Sequence, residues 1–396
     1  MKQTARALAF FLAMTCLAPD ALALDGAEYL ALIKAQAARQ EATIAQQGVE
    51  DTGEGSFVIH GFSRTGGDAS ALRIESMRFD GARAIGQGGY SADAIAMAGI
   101  SFSRPDPEGR KIEVTAGSLE IVGGYWPARG AALPPAGRSQ YTVSDATLAI
   151  DGAQMGAIAR IVATMTVEPD GTATSFQADA PLVSVATDAM PEDAKAQLTQ
   201  LGLMPLELAA SLKAKLDSAS GRLSVDAYRV AIRNAGAVVI RFELEGMTQD
   251  WLERTREIRQ RPIAAGPEAR DADSAQMTEA LRELRLVSAS LRFEDDGVVR
   301  RALAIQADAM GLSQKDAAAF GAQLAGERLN GLAEPALAAS ASPALQRFLA
   351  DPRSLTLLLS PASPTAITDL VGDAIASMPK LVERLGLAIE VNGRSE

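Results

Sequence analysis

Cysteine and histidine are nearly missing from this chain: Cys16 and His60 are the single examples among 396 residues. Thiolate or histidine-rich zinc sites are thereby excluded, because a structural zinc needs four such ligands. A Ser-His-Asp triad would have to recruit His60, which sits in the strand-like run Phe57 to Phe62 and reads as structural. Aromatic residues make up only 5%, so stacking platforms for sugars or bases lack material. Positive charge is also scarce, with a formal net charge of −11. An acidic protein is a poor match for nucleic acid or anionic membrane surfaces, which require a positive field. Absent too are the Gly-x-Ser-x-Gly elbow, the Gly-x-x-x-x-Gly-Lys phosphate loop and the His-Glu-x-x-His metal pair.

The N-terminus does carry a pattern. Lys2 and Arg6 precede an apolar run from Ala7 to Ala18, and Ala21-Leu22-Ala23 places small residues at cleavage positions. This is the layout of a secretory signal peptide. Its apolar run is too short to span a hydrocarbon core of about 30 Å. Cleavage after Ala23 starts the mature chain at Leu24 and removes Cys16, so no disulfide can form. The mature charge becomes −12, since Lys2, Arg6 and Asp20 leave together. Thr15 and Ala13 do not make a lipobox around Cys16. Thirty arginines against eight lysines resemble the coding bias of a GC-rich bacterium, so the expected location is periplasmic. No later stretch offers the ~18 apolar residues of a transmembrane span.

The fold class expected is α+β: a large antiparallel, meander-rich sheet with helices packed on one side. Residues 24–48 read as an N-terminal helix, because Ala27 to Gln47 has no breaker until Gly48. Residues 49–262 read as a β-rich antiparallel domain, with short alternating runs punctuated by Gly66-Gly67, Asp80-Gly81, Asp151-Gly152 and Asp170-Gly171. Met190 to Gly202 interrupts it as a helix, and Thr248 opens another. Arg261 to Asp273, with two prolines, reads as a linker. Residues 274–396 form an α+β C-terminal domain, with helices at Ser274 to Leu284, Val298 to Met310, Ser313 to Leu329, Pro343 to Ala350 and Pro364 to Met378. Ser354 to Ser360 has no polar face and is expected to be a central strand buried on both sides. A weak echo pairs strand, turn and helix around Gly246 with the same order around Gly311.

Four motifs have spacings that bear on chemistry. Asp51-Thr52-Gly53 matches the aspartic-protease signature, but Glu50 and Glu54 replace its usual neighbours and no second copy occurs. Ser377-Met378-Pro379-Lys380 has Ser-x-x-Lys spacing, with a proline inside the turn that the pair would need. Glu294-Asp295-Asp296-Gly297 lacks alternating calcium ligands and reads as a helix-capping turn. Tyr125-Trp126-Pro127 reads as a plug at a sheet edge.

From about residue 285 to 392 the chain runs strand, acidic-Gly turn, Arg-bearing helix, glycine break, helix, then Phe348-Leu349-Ala350-Asp351-Pro352, an apolar strand and Pro361/Pro364. This order resembles secreted alphaproteobacterial proteins of unknown function and is faintly similar to the YdgA-like envelope family. The resemblance implies an envelope location and supplies no catalytic residues. No catalytic, cofactor-binding or metal residue is assigned, and no cofactor is expected. The leading expectation is a non-catalytic envelope protein whose sheet face binds an apolar or lipid-like ligand, or a protein partner. The alternatives are a structural or interaction module of the periplasm and a carboxylate-dependent hydrolase.

Overall fold

Leu24, the first residue of the expected mature chain, is buried, and its N–H donates to the Ala82 carbonyl at 3.0 Å. The computed structural model describes residues 23–38, 41–66, 69–85, 89–126, 136–169, 173–188, 190–260, 266–332, 335–370 and 378–393. The apolar run from Ala7 to Ala18, expected to be a signal peptide, and Asp170-Gly171 lie outside them. The chain divides into two compact units, Met1–Ala189 and Met190–Glu396.

In the first unit α1 (Gly26–Ala38) leads into β1 (Thr43–Ala45), β2 (Gly48–Gly53), β3 (Ser56–Thr65), β4 (Ala71–Asp80) and β5 (Arg83–Ile85). The meander continues through β6 (Gly89–Pro105), β7 (Lys111–Trp126), β8 (Gly137–Ile150), β9 (Ala153–Val167) and β10 (Ala173–Val185). Asp25 and Glu28 form a reciprocal capping box: Glu28 N–H donates to Asp25 Oδ1 at 2.7 Å and Asp25 N–H to Glu28 Oε2 at 3.2 Å. The helix is shorter than its Ala- and Gln-rich sequence predicts. Glu41 turns left-handed (φ 55°), and Thr43 to Ala45 pair with Ser63 to Thr65 instead. The β-branched Thr43-Ile44 pair favours this strand over a further helical turn.

Alternation on β3 puts Phe57 and Ile59 on the covered face. Antiparallel register aligns Phe57, Phe79, Ile95 and Ile121 in one row beneath α1. Phe57 stacks on Phe79 at 4.7 Å, Tyr29 of α1 lies 4.6 Å from Phe79, and Tyr90 stacks on Trp126 at 4.8 Å. The Tyr29 and Tyr90 hydroxyls meet at 3.3 Å. Burial pushes the Tyr29 phenol up to about 12 and the Tyr90 phenol up as well, so both stay neutral and hydrogen-bonded. The core thins along the meander, and in β9 and β10 only Ala163 and Val167 are fully buried.

One set of interruptions in the β-ladder of this unit lines up across the sheet. Gly61, Glu75, Gly99, Gly117, Asp145, Ala159 and Leu182 occupy equivalent register positions on seven strands that neighbour one another in the sheet (β3, β4 and β6 to β10), and each falls in a gap in the pairing. Every second member of the first five is left-handed: Gly61 at φ 60°, Gly99 at 62° and Asp145 at 53°. The alignment creases the sheet, much as glycine kinks curve other sheets. At Gly99 a Cβ would collide with the Glu75 side chain. Gly99→Ala is expected to cost about 1–2 kcal/mol from left-handed strain alone, read as a lower urea midpoint at unchanged m-value.

Turns follow their sequence signals. Asp151 and Gly152 both have positive φ (50° and 82°), the type I′ conformation that joins β8 to β9. Between β6 and β7 the buried Asp106 carboxylate accepts from the N–H groups of Glu108 and Arg110 and from Arg110 Nε at 2.9 Å. Burial opposes its charge, but these donors outweigh that cost and hold the carboxyl below its usual range.

The second unit opens with α2 (Glu192–Gln200), then β11 (Glu207–Asp217), β12 (Arg222–Ile232), β13 (Gly236–Glu245), α3 (Gln249–Gln260), α4 (Gly266–Glu283) and β14 (Arg285–Asp295). Three helices, α5 (Val298–Met310), α6 (Gln314–Leu332) and α7 (Pro335–Ala350), precede β15 (Ser354–Leu359) and β16 (Thr365–Ala366). The last elements are α8 (Met378–Leu385) and β17 (Leu387–Val391). The strands pair antiparallel in the order β11, β12, β13, β14, β15, β17, with β16 beside the start of β14. Trp251 anchors the α3–α4 hairpin, burying its ring and donating Nε1–H to the Ala280 carbonyl at 2.8 Å.

Several expectations are corrected here. The fold is sheet-rich rather than an α+β balance: seventeen antiparallel strands, up to 17 residues long, dominate the described chain, with fewer helices. Gly and Ala interrupt the alternation inside long strands, so the sequence read one strand as several short runs. Residues 266–273, read as linker, are the first turns of α4; Pro267 suits a helix start rather than a break. β13 and β14, on either side of the expected division at 263–273, pair with each other from Gly236↔Asp295 to Glu245↔Arg285 within the unit Met190–Glu396. Thr365 and Ala366 are strand rather than helix, and 367–370 are helical. The Gly246–Gly311 echo fails at its own landmarks, since Gly246 follows strand β13 while Gly311 ends helix α5.

β15 is central between β14 and β17, as its composition predicts. It is not covered on both sides. Thr356 is buried at 7% exposure, whereas Leu355, Leu357, Leu358 and Leu359 are only half-buried. Leu355, Leu357 and Leu359 therefore face a surface that the protein itself covers only partly, while Leu358 lies on the side of Thr356.

A half-covered apolar sheet face as candidate functional site

Register on the second unit places two rows of apolar side chains on one sheet face. Tyr228, Ile240, Leu291, Leu357 and Ile389 pair directly across β12, β13, β14, β15 and β17. Val230, Val238, Phe293, Leu355 and Val391 form the next row on the same side, two residues along. Five strands at about 4.8 Å spacing make this face about 20 Å wide. Tyr228 and Leu291 are 42% exposed and Val238 38%, and the remaining members are half-buried. Only Phe293 has a resolved aromatic partner, Phe348 of α7 at 6.2 Å, edge to face. A contiguous apolar patch of this kind marks an interaction surface, whereas scattered exposed leucines do not.

The opposite face is polar and locked. Arg229, Val239, Arg292, Thr356 and Glu390 share the intervening row. Arg292 donates through Nε to Glu294 at 3.1 Å, through Nη2 to the Gly393 carbonyl at 2.9 Å, and through Nη1 to Thr356 at 3.4 Å. Arg229 pairs with the second oxygen of Glu294. Burial raises the cost of charging Glu294, but the two guanidiniums outweigh it and hold the carboxyl below its usual range. This network ties β12, β14 and β15 together on the face opposite the apolar rows.

The residues weighed for chemistry are mostly committed elsewhere. Asp51 Oδ1 accepts the Gly26 N–H at 3.0 Å and so steadies the start of α1. His60 is solvent-exposed, with Nε2 at 3.8 Å from Glu50. Within the acidic turn, Asp295 is the residue that caps α5, accepting from Gly297 and Val299 N–H groups, each at 2.9 Å. Tyr125 and Trp126 are buried at the end of β7 in the first unit, and Pro127 lies outside the described residues. Ser377 also lies outside them, while Lys380 falls in the first turn of α8. What the sequence missed was the face itself: alternation in Leu286 to Phe293 predicts a two-sided strand, but not which side stays open.

Among the described residues no helix is long and apolar enough to cross a membrane. No curated protein matches the chain. Residues 229–392 match a protein family described only as an uncharacterized protein, a stretch that carries nearly all of the apolar face from Val230 to Val391.

Proposed function

We propose that the protein is exported to the periplasm through a cleavable signal peptide and there binds an apolar, lipid-like ligand, without catalysing a reaction. The observation that carries this reading is the paired rows around Tyr228 and Leu291: an apolar face about 20 Å wide, partly exposed, backed by a polar network that keeps it rigid. Desolvating such a face gains about 25 cal/mol per Å² of apolar area, and an extended acyl chain matches its length and chemistry. The signal pattern at Ala21-Leu22-Ala23 and the resemblance of residues 285–392 to envelope proteins support the location. The engagement of Asp51 and Asp295 in helix capping supports a non-catalytic role.

The test is binding of a fluorescent long-chain fatty acid to the purified mature protein and to Leu291→Asp. Leu291 is already 42% exposed, so the substitution should shift stability by less than ~1 kcal/mol. Affinity is expected to fall at least ~10-fold, because a carboxylate must be desolvated against the acyl chain. Equal binding by both proteins, or none by either, would sink the reading.

A further inference from the structure

The bond that export must break is built into the folded core. Leu24, the residue after the expected cleavage point, is only 5% exposed and packs with Tyr29, Leu30, Phe57 and Phe79. Its N–H, which belongs to the scissile amide itself, donates to the Ala82 carbonyl at 3.0 Å. On the other side of that amide, Ala23 forms an antiparallel bridge with Arg83 of β5. The next residues are tied as well: Asp25 and Glu28 cap each other, and Gly26 N–H donates to Asp51. Gly26 is itself wedged so closely against Val49 that a Cβ would collide with it.

A protease needs its substrate extended, with backbone N–H and C=O groups free to pair with its own strand. Here the amide N–H is already paired with the Ala82 carbonyl, Ala23 lies in a bridge with Arg83, and the side chain after the bond is part of the core. We infer that the Ala23–Leu24 bond is cleavable only before the first unit folds, so processing and folding occur in a fixed order. This rests on the export reading. Hydrolysis adds one water across the amide, leaving a carboxylate on Ala23 and an amine on Leu24. That amine keeps hydrogens to donate to Ala82, so the new terminus can take the position that Leu24 occupies here. A precursor that folds first is trapped with its signal attached, because cleavage then waits on local opening of a segment anchored in the core.

The experiment uses the full-length precursor, purified in folded form, and a detergent-solubilised bacterial signal peptidase, with products mapped by intact mass. A second precursor carrying Phe57→Ala and Phe79→Ala together keeps residues 1–56 unchanged but loses the core stack. The expected result is cleavage of the doubly substituted chain between Ala23 and Leu24, at least ~10-fold faster than the wild-type precursor, whose folded state is verified by a cooperative melt. Equal rates for the folded and the unfolded precursor would overturn the ordering while leaving the export reading intact. Failure of both chains to be cut at this bond would overturn both.

Discussion

Replacing Phe57 by alanine should remove about 3–5 kcal/mol of stability, the range for deleting a large buried aromatic. Phe57 has 0% exposure, stacks on Phe79 at 4.7 Å and touches Tyr29 of α1 at 5.5 Å. It sits where helix, β3 and β4 meet, so the cavity is walled by three elements that cannot all move inward. Against a typical total of 5–15 kcal/mol, the loss should lower the urea midpoint sharply and expose α1 to proteolysis. The expected contrast is Val58→Ala, one residue along on the less buried face of the same strand. Equal midpoint shifts for the two variants would mean that α1 does not seal this face.

The second large effect is expected at Glu294. Its carboxylate lies between Arg229 and Arg292, and Arg292 is 9% exposed. Glu294→Gln keeps the shape but leaves two guanidiniums without their counter-charge. Breaking a buried pair from one side costs 3–5 kcal/mol when burial is complete; with 27% of the Glu294 side chain in solvent, about 2–3 kcal/mol is expected at pH 7. The pH dependence has a definite sign. Because the folded carboxyl titrates below its ordinary value of about 4.3, its ionisation stabilises the protein above that pH. The contribution disappears as pH falls through the folded value. The gap between wild type and Glu294→Gln should therefore narrow below pH ~4. Asp106, also held low, leaves the variant with some acid sensitivity of its own. Denaturation midpoints across pH 3–7 read the difference directly, and a constant gap would remove Glu294 from the network's charge balance.

Legibility in the sequence depended on how local each signal was. Asp151-Gly152 specifies its type I′ turn because two adjacent left-handed residues suffice. The Ser313 capping box opens α6, with Asp316 N–H donating to Ser313 Oγ at 3.2 Å, and Gly311 at φ 64° closes α5. Both signals lie within four residues of what they determine. The linker reading of 261–273 shows the opposite case, where Pro267 carries the same local signal for a break and for a helix start. Thr43-Ile44 became a strand because β3 offered partners, which no window on residues 27–47 contains.

By itself, then, the chain determined its chemistry by omission: one histidine, one cysteine and little positive charge restrict what any fold could do with it. It also determined the antiparallel meander, since strands that follow each other so closely cannot cross over. Tertiary structure alone decided which apolar residues are buried. Leu357 and Thr356 are neighbours on β15, yet the threonine is inside, near Arg292, and the leucine faces the half-covered side. Alternation assigns the two residues to opposite faces, but burial depends on what packs over each face, and those atoms come from segments far away in sequence. The crease through Gly61, Gly99 and Asp145 is equally non-local. Each residue permits a left-handed bend, and register across seven strands turns those separate permissions into a single line.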